Sequence, residues 1–215
     1  MSTSILLWVV IGYLSGSVSY ARIAGRLAGV DIVGHSSDGN PGGANVFMMV
    51  GKTAGVLVII LDIAKGAVPV WIFNRLYGFY DPWSALVISA PVVGHAWPVF
   101  DPFHGGKAIS TSFGCLLGLV PVWQPLVTLI VIYVFFSAVI LINPHVMRSI
   151  ITYLIFGFCQ FFWNLDPVIL GGCLLMALII ILRHLPSCTM DAVSFRFIGE
   201  KNRTGAGESK KAEKN

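Results

Sequence analysis

Charge is scarce in this chain: Asp, Glu, Lys and Arg make up 11% of its 215 residues, against 56% hydrophobic residues and a mean hydropathy of +0.81. So apolar a composition excludes both a water-soluble globular domain and a disordered chain. Cysteine is scarce as well. Cys115, Cys159, Cys173 and Cys188 show no C-x-x-C spacing, and three of them fall inside hydrophobic runs. Neither a zinc site nor a disulfide framework is indicated, and those three read as small buried apolar groups. Residues 1–4 contain no Lys or Arg, so the first hydrophobic run lacks the basic segment of a secretory leader and reads as a retained membrane span. No Walker A spacing, internal repeat or metal-ligating cluster is present. Metal, cofactor and nucleic-acid partners are therefore not expected.

What is abundant is hydrocarbon. A membrane-spanning helix needs about 20 mostly apolar residues, and seven runs approach that length: 5–21, 53–73, 82–100, 108–123, 125–142, 149–163 and 167–182. Pro82, Pro125 and Pro167 mark three starts, where the missing N–H costs nothing because that donor has no intrahelical partner. The expected fold is an all-α integral membrane bundle of seven transmembrane helices. Six spans with one re-entrant segment is the alternative count, because runs four to six are short.

Orientation follows from the basic residues. With the N-terminus outside, the cytoplasmic loops hold Arg22, Arg26, Lys52, Lys107, Arg148 and the tail from Arg183, whereas the outer loops hold only Arg75. The C-terminus is then cytoplasmic. Residues 1–200 are expected to form one transmembrane domain. Residues 201–215, with five basic and two acidic side chains, read as a disordered basic tail drawn weakly to anionic lipid.

Function in a membrane bundle is sought where polar residues and irregular loops interrupt the hydrocarbon. The loop after the first run combines Ser36, Ser37, Gly39, Asn40, Gly42, Gly43 and Asn45. Such a segment can cup an anion in backbone N–H groups, and it is equally the composition of a polar turn; both readings stay open. Before the fourth run stand Gly105, Gly106 and Lys107, with Ser110 and Thr111 in the following helical turn. Glycines, a cation and hydroxyls at a helix start describe a phosphate site; a membrane-surface anchor after a turn is the alternative. Arg183-His184 closes the last run. Within the second run, Asp62 and Lys65 lie three residues apart on one helix face and are expected to pair inside the bundle. Gly12 and Gly16 form a G-x-x-x-G match, which marks close helix packing.

Taken in order, several segments resemble the bacterial acyl-phosphate:glycerol-3-phosphate acyltransferase family of PlsY type. They are Gly16-Ser17, Gly29-x-Asp31-Ile32, Gly39-Asn40-Pro41-Gly42-x-x-Asn45, Gly51-Lys52-x-Ala54-Gly55, Asp62-x-x-Lys65-Gly66, Gly94-His95-x-x-Pro98-Val99-Phe100, Gly105-Gly106-Lys107 and Arg183-His184. The resemblance implies a seven-helix enzyme of phospholipid biosynthesis in the bacterial inner membrane, with a cavity open to the cytoplasm. Its substrates would be acyl phosphate and glycerol 3-phosphate, and its product lysophosphatidic acid. The chain also lacks a histidine with aspartate five residues later, the signature of the unrelated acyltransferases that use acyl-CoA or acyl carrier protein. Carried over residue by residue, the resemblance implies catalytic roles for Ser37, Lys107 and His184. It implies phosphate binding by Gly39, Asn40, Gly42, Gly43, Asn45, Gly105, Gly106, Ser110 and Thr111, with the glycines supplying close backbone donors.

The chain departs from that pattern at defined positions. Val33 and Met48 stand where the family has arginines. One extra loop residue leaves Ser36 and Ser37 competing for the family's serine position, and Ser37 is preferred. His104, Ala108 and Ser110 replace lysine, glycine and alanine; Ser187 replaces asparagine; Gly199 and Glu200 are displaced from the family's glycine and glutamate. His35, Arg196 and Arg203 are the expected substitutes for the lost charges. The alternatives are a degenerate relative that binds a phosphorylated lipid precursor without turnover and, from the buried Asp62 and Lys65, a small transporter.

Overall fold

The computed structural model describes residues 2–188 and 194–197; the expected tail at 201–215, with Arg203, Gly199 and Glu200, lies outside them. Among the described residues ten α-helices form in this order: α1 Thr3–Ser17, α2 Tyr20–Leu27, α3 Ile32–His35, α4 Gly43–Met49, α5 Lys52–Tyr77, α6 Ala85–Ala96, α7 Ile109–Leu117, α8 Gln124–Ala138, α9 His145–Cys159 and α10 Pro167–His184. Each of the seven apolar runs overlaps one of the longer helices, α1 and α5 to α10. Among the described residues four segments are long and apolar enough to cross a membrane: Thr3–Leu27, Lys52–Tyr77, His145–Phe162 and Pro167–Ser187. α7, with nine residues, is about 14 Å long. That is roughly half the hydrocarbon thickness.

Local chemistry explains the helix starts. Pro167 is the first residue of α10, and the Asp166 carboxylate in front of it accepts from Val168 N at 2.8 Å. Pro82 opens a 3₁₀ turn into α6, capped by Asp81 on Trp83 N at 2.9 Å, and Pro125 is the second residue of α8. Two boundaries differ from the sequence expectation. The run at 5–21 is broken at Val18-Ser19, where the Lys65 ammonium of α5 donates to the Val18 carbonyl at 2.6 Å. An acceptor freed by the break is thereby satisfied without water. The run at 125–142 stays helical only to Ala138, because β-branched Ile140 and Ile142 lie in an extended segment, Ile140–Asn143 (β1). β1 pairs antiparallel with Ser194–Phe197 (β2), Ile140 opposite Phe197.

Glycine sets the helix crossings. A Cβ at Gly16 would fall on the Pro91 carbonyl of α6, and one at Gly94 on the Tyr13 carbonyl of α1, so the two backbones lie in contact. The G-x-x-x-G reading of Gly12 and Gly16 as a packing face is borne out. α5 and α7 meet in the same way through Gly66 and Gly114. Around these crossings Val70, Phe73, Ile88, Leu116, Phe156 and Met176 form the buried core. Leu6, Val10, Ile60, Val131, Val134 and Leu178 point outward and stay exposed. An apolar exterior of this kind is costly in water and suited to lipid.

Candidate active site

Short breaks in the helices bring three segments together around an open cavity of about 530 Å³: the loop leading into α4, the loop leading into α7, and the first turn of α9. The first loop is built on Asp38. Its Oδ1 accepts from Asn45 Nδ2 at 2.9 Å and from Asn40 N at 3.2 Å, and Asn45 Nδ2 also donates to Asn40 O at 2.8 Å. Gly39, between them, has φ +60°, a left-handed conformation that glycine adopts without strain. The second loop docks on the first through Lys107. Its backbone N–H donates to Asn40 Oδ1 at 3.1 Å, and its ammonium donates to Asp38 Oδ2 at 2.6 Å. His145 Nε2, from α9, touches the same ammonium. Burial works against charge on Asp38, yet the hydrogen bonds from Lys107 and Asn45 and the Lys107 charge outweigh it. The carboxyl is held below its ordinary range.

Behind Lys107 the loop is clamped from several directions. Arg183 donates to Gly105 O at 2.6 Å, and Gly106 N donates to His95 O at 2.9 Å. Arg22, on α2, pairs with Asp101 at 2.9 Å and donates to His104 O at 3.0 Å. A hydrogen bond from His104 and then the Arg22 charge lower the Asp101 pKa. Ala108 follows Lys107 with φ 60°, left-handed and without glycine's freedom. It caps α7 and so turns the chain straight from the ammonium into the helix.

A second polar layer lies beneath the cavity. Lys65 Nζ sits 2.8 Å from Asp62 Oδ1, both side chains being almost wholly buried, and His95 Nδ1 stands 3.9 Å from the same oxygen. The expectation that Asp62 and Lys65 pair within the bundle is met. The layer reaches the site as well: Asp62 and His95 line the cavity, and the His95 ring occupies the space a Cβ at Gly106 would need.

Of the residues expected from sequence, Ser37, Asn40, Gly42, Gly43, Asn45, Lys107 and Ser110 line the cavity. Ser36 instead turns its hydroxyl back to Val33 O at 3.3 Å. Gly39 forms the loop's turn, and Gly105 and Gly106 lie behind it beside Ser17, Lys65 and His95. The Gly106 N–H is already engaged. Thr111 is fully buried, its carbonyl against Gly66. His184 is also buried, away from the cavity lining; its Nδ1 donates to Ile180 O at 2.8 Å, and its Nε2 has no partner among the described residues. His35 bonds its own turn through Asp31 O at 2.9 Å, outside the lining. The side chains of Arg196 and Arg203 lie outside the described residues. Sequence reasoning missed Asp38, Tyr133, His145 and Ser149 and gave Arg148 no site role. The one available signal was the spacing of His145, Arg148 and Ser149, which puts all three on one helical face directly after Pro144.

Known proteins are similar to this chain in sequence and in fold. The family profile described as glycerol-3-phosphate acyltransferase matches residues 6–189. A glycerol-3-phosphate acyltransferase of Albidiferax ferrireducens is 35% identical over 179 residues, covering 81% of this chain and 80% of that protein. Crystal structures of PlsY (YgiH), an integral membrane glycerol 3-phosphate acyltransferase, are similar at 28% identity. The glycerol 3-phosphate form has a TM-score of 0.73 over 86% of this chain and 90% of that one. The lysophosphatidic acid form has a TM-score of 0.72 over 86% and 89%. With nearly its whole helical region matched by profile, sequence and fold, this chain belongs to the glycerol-3-phosphate acyltransferase family.

Proposed function

We propose that the protein transfers an acyl group from acyl phosphate to glycerol 3-phosphate, forming lysophosphatidic acid and inorganic phosphate for phospholipid synthesis. The observation that carries this reading is the docking of the two glycine-rich loops through Lys107, Asp38 and Asn40 on the rim of one cavity. Both substrates bear phosphate, and the cavity offers the Lys107 ammonium and the free N–H groups of the first turn of α7, where Ser110 faces inward. In the reaction, the acceptor hydroxyl attacks the acyl carbon, an ester C–O bond forms, and the C–O bond to phosphate breaks. The hydroxyl proton passes to the departing phosphate. Since the leaving group already activates the carbonyl, positioning and charge stabilisation carry the catalysis, with no strong protein base required.

The finer topology belongs to the same proposal: seven spans in a bacterial inner membrane, N-terminus outside and C-terminus cytoplasmic. Support comes from the excess of basic residues on one side, Arg22, Arg26, Lys52, Lys107 and Arg148 against Arg75 at the far end of α5. Lys107, Arg148 and the cavity would lie on the cytoplasmic side. Asp62 and Lys65 are closed on each other beneath the site, which removes the motive for a transporter.

One observation favours the degenerate binder as a second reading: Met48 brings an uncharged, exposed side chain to the cavity where an arginine is expected. Purified protein given acyl phosphate separates the two. An acyltransferase releases phosphate and forms lysophosphatidic acid only when glycerol 3-phosphate is also present; a binder takes up glycerol 3-phosphate without turnover. Phosphate release indifferent to glycerol 3-phosphate overturns the assignment.

A further inference from the structure

Four side chains of full charge line the cavity: Asp38, Asp62, Lys107 and Arg148. Three already have an opposite charge. Asp62 is closed onto Lys65 at 2.8 Å, and Lys107 and Asp38 are closed onto each other at 2.6 Å. Arg148 differs. Among the described residues no carboxylate lies within ion-pair distance of it, and its Nε is buried without a hydrogen-bond partner. The hydroxyl beside it is engaged elsewhere, since Ser149 Oγ donates to His145 O at 3.1 Å. A desolvated guanidinium N–H without an acceptor is unfavourable, and an anion entering the cavity would offer the guanidinium an acceptor.

The position of Arg148 fits such an anion. It sits in the first turn of α9, three residues after His145, whose ring touches the Lys107 ammonium. Lys107, His145 and Arg148 all line the same cavity. A planar guanidinium fork matches two phosphate oxygens, which a lysine ammonium cannot do. Met48, on α4, contributes only a thioether to the same cavity.

We propose that Arg148 grips a substrate phosphate from α9 and supplies the cationic contact that Met48 cannot. The proposal rests on the acyltransferase reading above. Both acyl phosphate and glycerol 3-phosphate offer the required chemistry, and kinetics distinguish them.

The test uses the full chain purified in detergent, with each substrate varied in turn. In Arg148→Met, KM for one of the two phosphorylated substrates rises about tenfold or more, the loss of a charge-assisted contact, while kcat changes less. The substrate whose KM moves owns the phosphate. Arg148→Lys recovers part of the loss, because charge is retained without the fork. Adding Met48→Arg to Arg148→Met also lowers the raised KM, which a merely structural role for Arg148 would not produce. If the methionine variant fails to fold, the lysine variant carries the same comparison. Unchanged KM for both substrates in a folded variant overturns the proposal while leaving the acyltransferase reading intact. Absence of turnover in the unmodified protein defeats the acyltransferase reading instead. Calorimetric titration with glycerol 3-phosphate and with a non-hydrolysable acyl phosphonate then decides the point: weaker binding of either to Arg148→Lys supports Arg148 as the grip, and equal or absent binding of both overturns it.

Discussion

The ammonium of Lys107 lies 2.6 Å from the Asp38 carboxylate, 69 residues earlier in the chain. An internal anion thus occupies the cation that a substrate phosphate needs, and the two must compete. Asp38→Asn removes the competitor's charge and keeps an oxygen for Asn45 and Asn40, so KM for the phosphorylated substrates falls by roughly two- to fivefold. Asp38→Ala removes the oxygen too, and lowers the melting temperature as the loop loses its brace. Steady-state kinetics on both variants, with thermal unfolding alongside, separate the two effects. A higher KM in Asp38→Asn would show that Asp38 assists binding.

The same pair predicts a pH dependence of stability. Because the folded protein holds Asp38 below the carboxylate value of 3.8, its contribution is fully present above that value and is lost as pH falls through the lower, folded value. The difference in melting temperature between the unmodified protein and Asp38→Asn therefore stays constant near neutrality and shrinks only under strong acid. A difference that shrinks between pH 6 and 8 (approximate limits) would point to a histidine instead.

Lys107→Met keeps the apolar stem and deletes the charge. Turnover falls by roughly ten- to a hundredfold, equivalent to about 1.5 to 3 kcal/mol of lost transition-state stabilisation. Initial rates of lysophosphatidic acid formation give the comparison. Activity equal to that of the unmodified protein refutes the role assigned to Lys107.

Breaking the buried pair in α5 has a different signature. Lys65→Met leaves Asp62 uncompensated and withdraws the donor from the Val18 carbonyl, at a cost of about 3 to 5 kcal/mol. Neutralising Asp62 as well, in Asp62→Asn/Lys65→Met, recovers a substantial part of the stability. Thermal unfolding in detergent reads both variants. Equal destabilisation by the single and double changes would mean that the Val18 contact, and not the ion pair, is what Lys65 supplies.

The sequence made legible what short-range chemistry controls. Proline positions located the starts of α8 and α10, and the glycine-rich loops were found because their residues suit irregular backbone. Long-range effects were not legible. The break after Ser17 is satisfied by Lys65 from 47 residues away, and the extended Ile140–Asn143 pairs with a partner more than fifty positions on. Asp38 drew no reading at all, and Arg148 read only as a marker of membrane orientation. Gly106 shows how a correct residue type can be read for an incomplete reason. Its amide is already bonded to His95 O, and a Cβ there would collide with the His95 ring. Gly106→Ala is accordingly expected to lower stability and activity together, without a selective effect on substrate affinity.

Ala108 holds its φ at 60° immediately after Lys107, at a position where the family resemblance leads one to expect glycine. Left-handed backbone costs an alanine roughly 1 kcal/mol more than a glycine, and the chain meets that cost once, on folding. A glycine there would act as a hinge, free to swing the ammonium until a ligand stilled it, with the ordering entropy lost at the moment of binding. An alanine makes the corner a fixed jaw, set at its working opening before any substrate arrives.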